Sequence, residues 1–385
     1  FIAIFIVILA ITIYNYQFIT IDELDLISYI LAKSSLATFP KTYPKNETAR
    51  INTIRTVMKY NLQYGLKPLN FLLNPSLMRI PYEDVYIPVD DGKDKILLRL
   101  YNTEKSLKLD EKPKKVLIFY HGGGWIFFSA EDLHPVTLQI AQSSDYLVVS
   151  VDYRLAPEHI FPTAINDAYT ALEWVIDNIA NYGGDPSSII VSGESAGGNL
   201  AAAVTSRHLH NKIESHCSFK VRVRDPDQML CRKLFDKEQK KEKWHEIVGL
   251  WLVYPVLNAT SSSPDAKKYA NVNGFLTMDE MEWMRRLYQG SDDYNEKIRT
   301  NYQYSPLYTP NLIVSVYPPT LFIFAEHDIL TEEGLEFAGR LRDYLRSVHM
   351  MTFSSTVHAF LAAHPFLGPK AIAYSTYYFK QLLRD

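Results

Sequence analysis

The sequence is poor in cysteine: its 385 residues contain only two, Cys217 and Cys231. That is too few for a disulfide framework. A surplus of positive charge is also missing, since 40 basic residues against 43 acidic ones give a formal net charge of −3. No basic stripe interleaves with aromatics, so the electrostatic footprint of a nucleic-acid binder is lacking and that class is set aside. No internal repeat is present, and no Gly-Lys-Ser/Thr follows the glycine-rich run described below, which excludes a phosphate loop. What is abundant is apolar material, 47% of the chain and ample for a packed core.

Long uncharged stretches are scarce too, with one exception at the start. Phe1 to Ile21 carries no charge, and Phe1 to Ile13 is apolar except for Thr12. As a helix it would span about 31 Å, close to the hydrocarbon thickness of a bilayer. Tyr14, Tyr16 and Phe18 gather toward one end, where an aromatic belt would sit. A cleaved signal peptide is the alternative, but no Ala-x-Ala site follows, which favours a retained anchor. Asp22, Glu23 and Asp25 come next and the first basic residue is Lys33, and a flank poor in Lys and Arg is usually non-cytoplasmic. Two sequons, at Asn46 and Asn258, would be usable only in the lumen. The expectation is a single-pass protein of the endoplasmic reticulum membrane with a lumenal domain, or a secreted one if the segment is cleaved.

Residues 22–82 are expected to form a helical cap or linker, broken by Pro40, Pro44, Pro68, Pro75 and Pro81. From residue 83 the pattern changes. Glu83 to Val89 alternates as a strand, Asp91-Gly92 forms a turn, and Lys95 to Tyr101 returns, which predicts a hairpin. Short apolar runs then follow at Val116–Tyr120, Tyr146–Val151, Ile189–Ser192, Val248–Tyr254 and Thr320–Ala325. Strands buried on both faces have this appearance. Helical spacing separates them, clearest from Ala164 to Ile179 and again in 340–346 and 371–383. Residues 83–385 are therefore expected to be an α/β domain, a mostly parallel sheet with helices on both faces. From Ser218 to Lys243 nine basic and five acidic side chains crowd together without apolar periodicity, which predicts a solvated insertion.

The chemistry is concentrated in short strings. The strand ending at Ser192 runs into Gly193-Glu194-Ser195-Ala196-Gly197 and an alanine-rich helix. That is a nucleophile elbow in its required setting, a sharp strand-to-helix turn that projects Ser195 above the sheet. The strand ending at Tyr120 runs into His121-Gly122-Gly123-Gly124-Trp125. Its bare backbone N–H groups, with that of Ala196, would form an oxyanion hole. The serine needs a base, and the base needs an acid to orient it. Asp328 stands at the end of the Thr320–Ala325 strand, whereas Glu332 and Glu333 read as helix-start acids and Asp343 as a solvated helix residue. Of the histidines that follow, His349 reads as closing a helix and His364 precedes Pro365. His358 lies in a loop before the last helix and is preferred.

The strings HGGGW, DYRLAPEH, GESAGG, HDILTEEG and VHAF together resemble the hormone-sensitive-lipase family of α/β hydrolases, over about residues 80–385. Given the uncharged start, the resemblance is nearest to its arylacetamide deacetylase and neutral cholesterol ester hydrolase branch. It implies Ser195, Asp328 and His358 as a triad, Gly123, Gly124 and Ala196 as oxyanion donors, and structural roles for Arg154, Glu158 and Asp167. It implies hydrolysis of a small-molecule or lipid ester with no cofactor and no metal. The chain departs from the family pattern at Glu194, where Asp is commoner, in the residues before His358, and in its long insertion. Amide hydrolysis would use the same triad. A non-catalytic binding protein would have no need of His358. A zinc site from His208, His210, His216, Cys217, Cys231 and His245 matches no known spacing.

Overall fold

The computed structural model describes residues 47–61, 71–103, 112–217, 246–260, 276–291, 293, 295–364 and 366–383. The uncharged segment 1–21, Asn46, and the charged insertion from Ser218 to Lys243 lie outside the described residues. Among the described residues no helix is long and apolar enough to cross a membrane. The chain divides into two compact units, Phe1–Val57 and Met58–Asp385. Within the expected cap region the described elements include a helix, α1 (Glu47–Asn61), helical residues 71–73 and a short helical turn at Pro75–Arg79.

The second unit is built on eight strands: β1 (Tyr82–Val89), β2 (Asp94–Tyr101), β3 (Lys114–Tyr120), β4 (Leu147–Asp152), β5 (Gly184–Glu194), β6 (Ile247–Val253), β7 (Thr320–His327) and β8 (Val348–Val357). They form one sheet in the order β1-β2-β4-β3-β5-β6-β7-β8. β1 and β2 form the predicted antiparallel hairpin, β2 runs antiparallel to β4, and all later pairings are parallel. The longer helices are α2 (His134–Ser144), α3 (Thr163–Asn178), α4 (Ala196–Cys217), α5 (Met278–Gln289), α6 (Thr331–Asp343) and α7 (Leu367–Leu382).

Successive side chains of a strand point to opposite faces, so a strand covered on both sides must be apolar throughout. β3 obeys this rule. Leu117 and Phe119 join a core with Ile140 of α2 and Phe379 of α7. On the other face Tyr120 reaches α3, donating its hydroxyl to the Ala168 carbonyl at 2.8 Å. The parallel strands therefore all deliver their C-terminal ends to one rim, where sites form in open α/β sheets.

One expectation needs correction. His349 does not close a helix; it lies in β8 and its ring stacks on Tyr378. The helix before it stops at Asp343, and the chain turns through Leu345 at φ 56°. Asp167, for which a structural role is expected, anchors the loop that follows β4. It takes both the Arg154 backbone N–H and the Arg154 guanidinium, at 2.7–3.0 Å. Arg154 also reaches Asp90 between β1 and β2, so one guanidinium, held by Asp167 through two N–H groups, ties the first hairpin to α3.

Candidate active site

Ser195 sits between the last residue of β5 and the first of α4 with φ 55°. A left-handed conformation costs a non-glycine residue about 1–2 kcal/mol, so the surroundings must impose it. They do so by close backbone packing. A Cβ added at Gly193 would lie 2.2 Å from the Gly197 carbonyl oxygen, and one at Gly197 would lie 2.0 Å from that of Tyr120. No residue other than glycine fits either position, so the glycines of the elbow are steric requirements.

The catalytic partners are brought in by register. His327 of β7 pairs with Val357 of β8, so the next residue on each strand, Asp328 and His358, emerges side by side. His358 Nδ1 lies 2.7 Å from Asp328 Oδ2, and its Nε2 lies 2.8 Å from Ser195 Oγ. Asp328 is 1% exposed and its second oxygen accepts the Leu330 N–H at 3.0 Å. With Asp328 accepting at Nδ1, the proton rests there and Nε2 is left to take one from Ser195. Burial alone would lower the His358 pKa. The charge and hydrogen bond of Asp328, with Glu194 and Glu333 beyond it, outweigh burial and hold the imidazole above its ordinary value. The rejected histidine behaves otherwise: burial lowers His364 to about 4, and its Nδ1 accepts the Phe366 and Leu367 N–H groups at the start of α7.

The oxyanion loop lies beside the elbow because Tyr120 of β3 is in register with Gly193 of β5. Gly123 has φ 109° and Gly124 φ 61°, conformations that glycine alone adopts at little cost. Among the described residues, the amides of Gly123, Gly124 and Ala196 meet no protein acceptor. The loop is propped from behind. His121, fully buried and kept neutral by burial, stacks on Tyr153 at 4.3 Å, and the Tyr153 hydroxyl donates to the His121 carbonyl at 2.7 Å.

Other side chains close the rim. α5 begins with a Thr277–Glu280 capping box and buries Trp283, Met284, Leu287 and Tyr288. Met284 roofs the oxyanion loop so closely that a Cβ on Gly124 would lie 2.0 Å from its sulfur. Trp125 stacks on Tyr288 at 4.5 Å. Glu333 lies in the first turn of α6, as expected of a helix-start acid, but it is also buried: it is 5% exposed and accepts the Leu257 N–H at 2.7 Å. Asn258 is 7% exposed and its Oδ1 accepts from both the N–H and the hydroxyl of Thr260. The structure therefore does not present this sequon as a glycan acceptor, and Asn46 alone retains that expectation.

Of the candidate zinc ligands, Cys231, His245 and the side chains of His216 and Cys217 lie outside the described residues. His208 is held by Glu246 at 2.8 Å and His210 by Tyr302 at 2.9 Å, and among the described residues no group of His, Cys, Asp and Glu gathers to hold a metal.

A buried Ser–His–Asp relay, an elbow and glycine amides at the C-terminal rim of a mostly parallel sheet define a serine-hydrolase site on an α/β scaffold. Residues 117–362 match the family described by the alpha/beta hydrolase fold, and the chain belongs to that family. This agrees with the hormone-sensitive-lipase resemblance carried by the motifs.

Carboxylesterase NlhH of Mycobacterium tuberculosis is 31% identical over 246 residues, 64% of this chain and 66% of its own, slightly under two thirds of that relative. Arylacetamide deacetylase of Bos taurus is 28% identical over 292 residues, 68% of this chain and 71% of its own. Among solved structures, an esterase of Pyrobaculum calidifontis superimposes with a TM-score of 0.68 at 27% identity, covering 93% of this chain and 98% of that one.

Proposed function

We propose that this chain is a serine hydrolase that cleaves carboxylic esters through an acyl-enzyme. The observation that carries the reading is His358, held by Asp328 at 2.7 Å and reaching Ser195 Oγ at 2.8 Å. His358 Nε2 takes the Ser195 proton as Oγ attacks the ester carbonyl carbon, and the carbonyl oxygen becomes an oxyanion held by Gly123, Gly124 and Ala196. Collapse breaks the bond to the alcohol, which leaves with the proton from His358. Water then attacks the acyl-Ser195 ester with the same base, releases the carboxylic acid and restores Ser195.

Amide cleavage is the second reading, favoured by the likeness to arylacetamide deacetylase. A non-catalytic binding role is disfavoured by the intact relay. The test uses a fluorophosphonate probe and a series of p-nitrophenyl esters of increasing acyl length, with an acetanilide beside them. Ser195→Ala should lose probe labelling and nearly all ester turnover while unfolding at an unchanged temperature. Labelling that survives Ser195→Ala would refute the assignment, and faster acetanilide than ester turnover would select the amide reading.

We also propose that residues 1–21 anchor the enzyme in the endoplasmic reticulum membrane with the catalytic unit in the lumen. The support is the absence of charge from Phe1 to Ile21 and the sequon at Asn46. Expressed in eukaryotic cells, the protein should resist carbonate extraction and lose mass with endoglycosidase, and Asn46→Gln should abolish that loss. Release into the medium without the segment would support signal cleavage instead.

A further inference from the structure

Glu194, immediately before the nucleophile, has no part in the relay, and yet it is 3% exposed at the centre of the site. A carboxylate is costly to bury unless it is well hydrogen-bonded. Its two oxygens are spent on two different loops. Oε1 accepts the Gly122 N–H of the oxyanion loop at 3.2 Å. Oε2 accepts the Tyr254 hydroxyl at 2.6 Å. Tyr254 follows β6, and its ring centroid lies 4.7 Å from that of His358. The same Tyr254 oxygen accepts the Leu361 N–H at 3.3 Å, three residues beyond His358. One carboxylate thus reaches both the loop that would hold the oxyanion and the loop that carries the base.

The glycine run is shaped around this carboxylate. A Cβ on Gly122 would lie 2.8 Å from Glu194 Oε1, so the first glycine of the run makes room for the carboxylate. Aspartate is shorter by one methylene and would set its oxygens nearer its own backbone. Tyr254 is suited to donate, because burial holds its hydroxyl well above the ordinary phenol value and it stays protonated.

We propose that Glu194 is a positioning residue that, through Gly122 and Tyr254, fixes the oxyanion loop and the histidine loop in one mutual geometry. The proposal rests on the serine-hydrolase reading above. Displacement of reacting groups by about 1 Å can lower turnover by 10²-fold, so a bracket of this kind acts on kcat more than on binding.

The test is p-nitrophenyl acetate hydrolysis by wild type, Glu194→Gln, Tyr254→Phe and the double variant. Glu194→Gln keeps an oxygen for Gly122 but turns a donor toward a Tyr254 oxygen that already accepts Leu361. Tyr254→Phe removes one oxygen atom and is the safeguard should Glu194→Gln fold poorly. Each single variant is expected to lose about 10- to 100-fold in kcat with KM nearly unchanged. The double should fall within about threefold of the worse single, because both cut the same bracket.

A merely structural role would not move the pH profile. The ionisable groups facing His358 are Asp328 just past the end of β7, Glu194 from the elbow and Glu333 from α6, with the Tyr254 hydroxyl close by. Removing the Glu194 charge leaves His358 easier to deprotonate, so the acid limb of kcat/KM should move to lower pH in Glu194→Gln. Wild-type kcat in both single variants, additive losses in the double, or an unmoved acid limb would each overturn the proposal. A wild type that neither labels nor hydrolyses esters would instead overturn the hydrolase reading, and this inference with it.

Discussion

The floor and the roof of the site are made differently. The floor, the elbow and the oxyanion loop, is backbone: Ser195 at φ 55°, Gly123 at φ 109° and Gly124 at φ 61°, with carbonyls so close that a Cβ would collide. The roof, α5 with Glu333 below it, is side chain: Met284 over Gly124, and Arg285 with its guanidinium 3.9 Å from Glu333. Backbone geometry of this kind admits one residue type at each position. Side-chain packing accepts many residues of suitable volume. The floor should therefore fail abruptly on small changes and the roof by degrees.

The sharpest test of that contrast is Gly124→Ala. It forces a side chain into the left-handed region and against the Met284 sulfur, 2.0 Å away. If Gly124 donates to the oxyanion, kcat/KM for p-nitrophenyl acetate should fall by about 10²–10³-fold, as on losing one oxyanion donor. Adding Met284→Ala should return only part of the loss, since it relieves the collision and leaves the backbone strain. Full recovery in the double variant would place the fault in the roof. An active Gly124→Ala with unchanged unfolding would remove Gly124 from the oxyanion hole.

The same contrast explains how much could be read from the sequence. Elbow and loop were legible because their steric demands force contiguous strings, and the five apolar runs were legible because both faces of their strands are covered. Asp328 and His358 could be placed by chain order alone, although the cause of their meeting, the pairing of His327 with Val357, is a matter of tertiary register. β8 was missed because it is an edge strand of mixed exposure, with no continuous apolar run. Its entry turn offers no glycine or asparagine signal, only Leu345, a left-handed leucine that is 93% exposed. α5 carried no expectation, and the roles of Glu194 and Tyr254 depend on residues sixty positions apart. Nothing local marks such a contact.

The smallest effect is expected in the roof, at Glu333. Burial raises its carboxyl to about 7, only partly countered by the nearby Arg285 and by the Leu257 and Asn258 amides. In the unfolded chain a glutamate titrates near ~4.3. Between those values the folded protein holds a proton that the unfolded chain has lost, so this residue makes stability fall as pH rises through the window. Its contribution is greatest below the unfolded value and has levelled off once pH exceeds the folded one. Glu333→Gln keeps a carbonyl oxygen for the Leu257 N–H and has no proton to lose. The measurement is the unfolding temperature of both proteins at several values between about pH 5 and pH 7.5. Comparing slopes cancels the contributions of the surface carboxylates, which the two proteins share, and making the comparison in a His358→Ala background removes the titration of the histidine that Glu333 faces. Wild type should lose a few degrees more than Glu333→Gln across that range, with the curves parallel above it. Parallel curves throughout would mean that Glu333 is ionised in the fold. It would then form a true ion pair with Arg285, and the roof would be held by charge instead of by a neutral hydrogen bond.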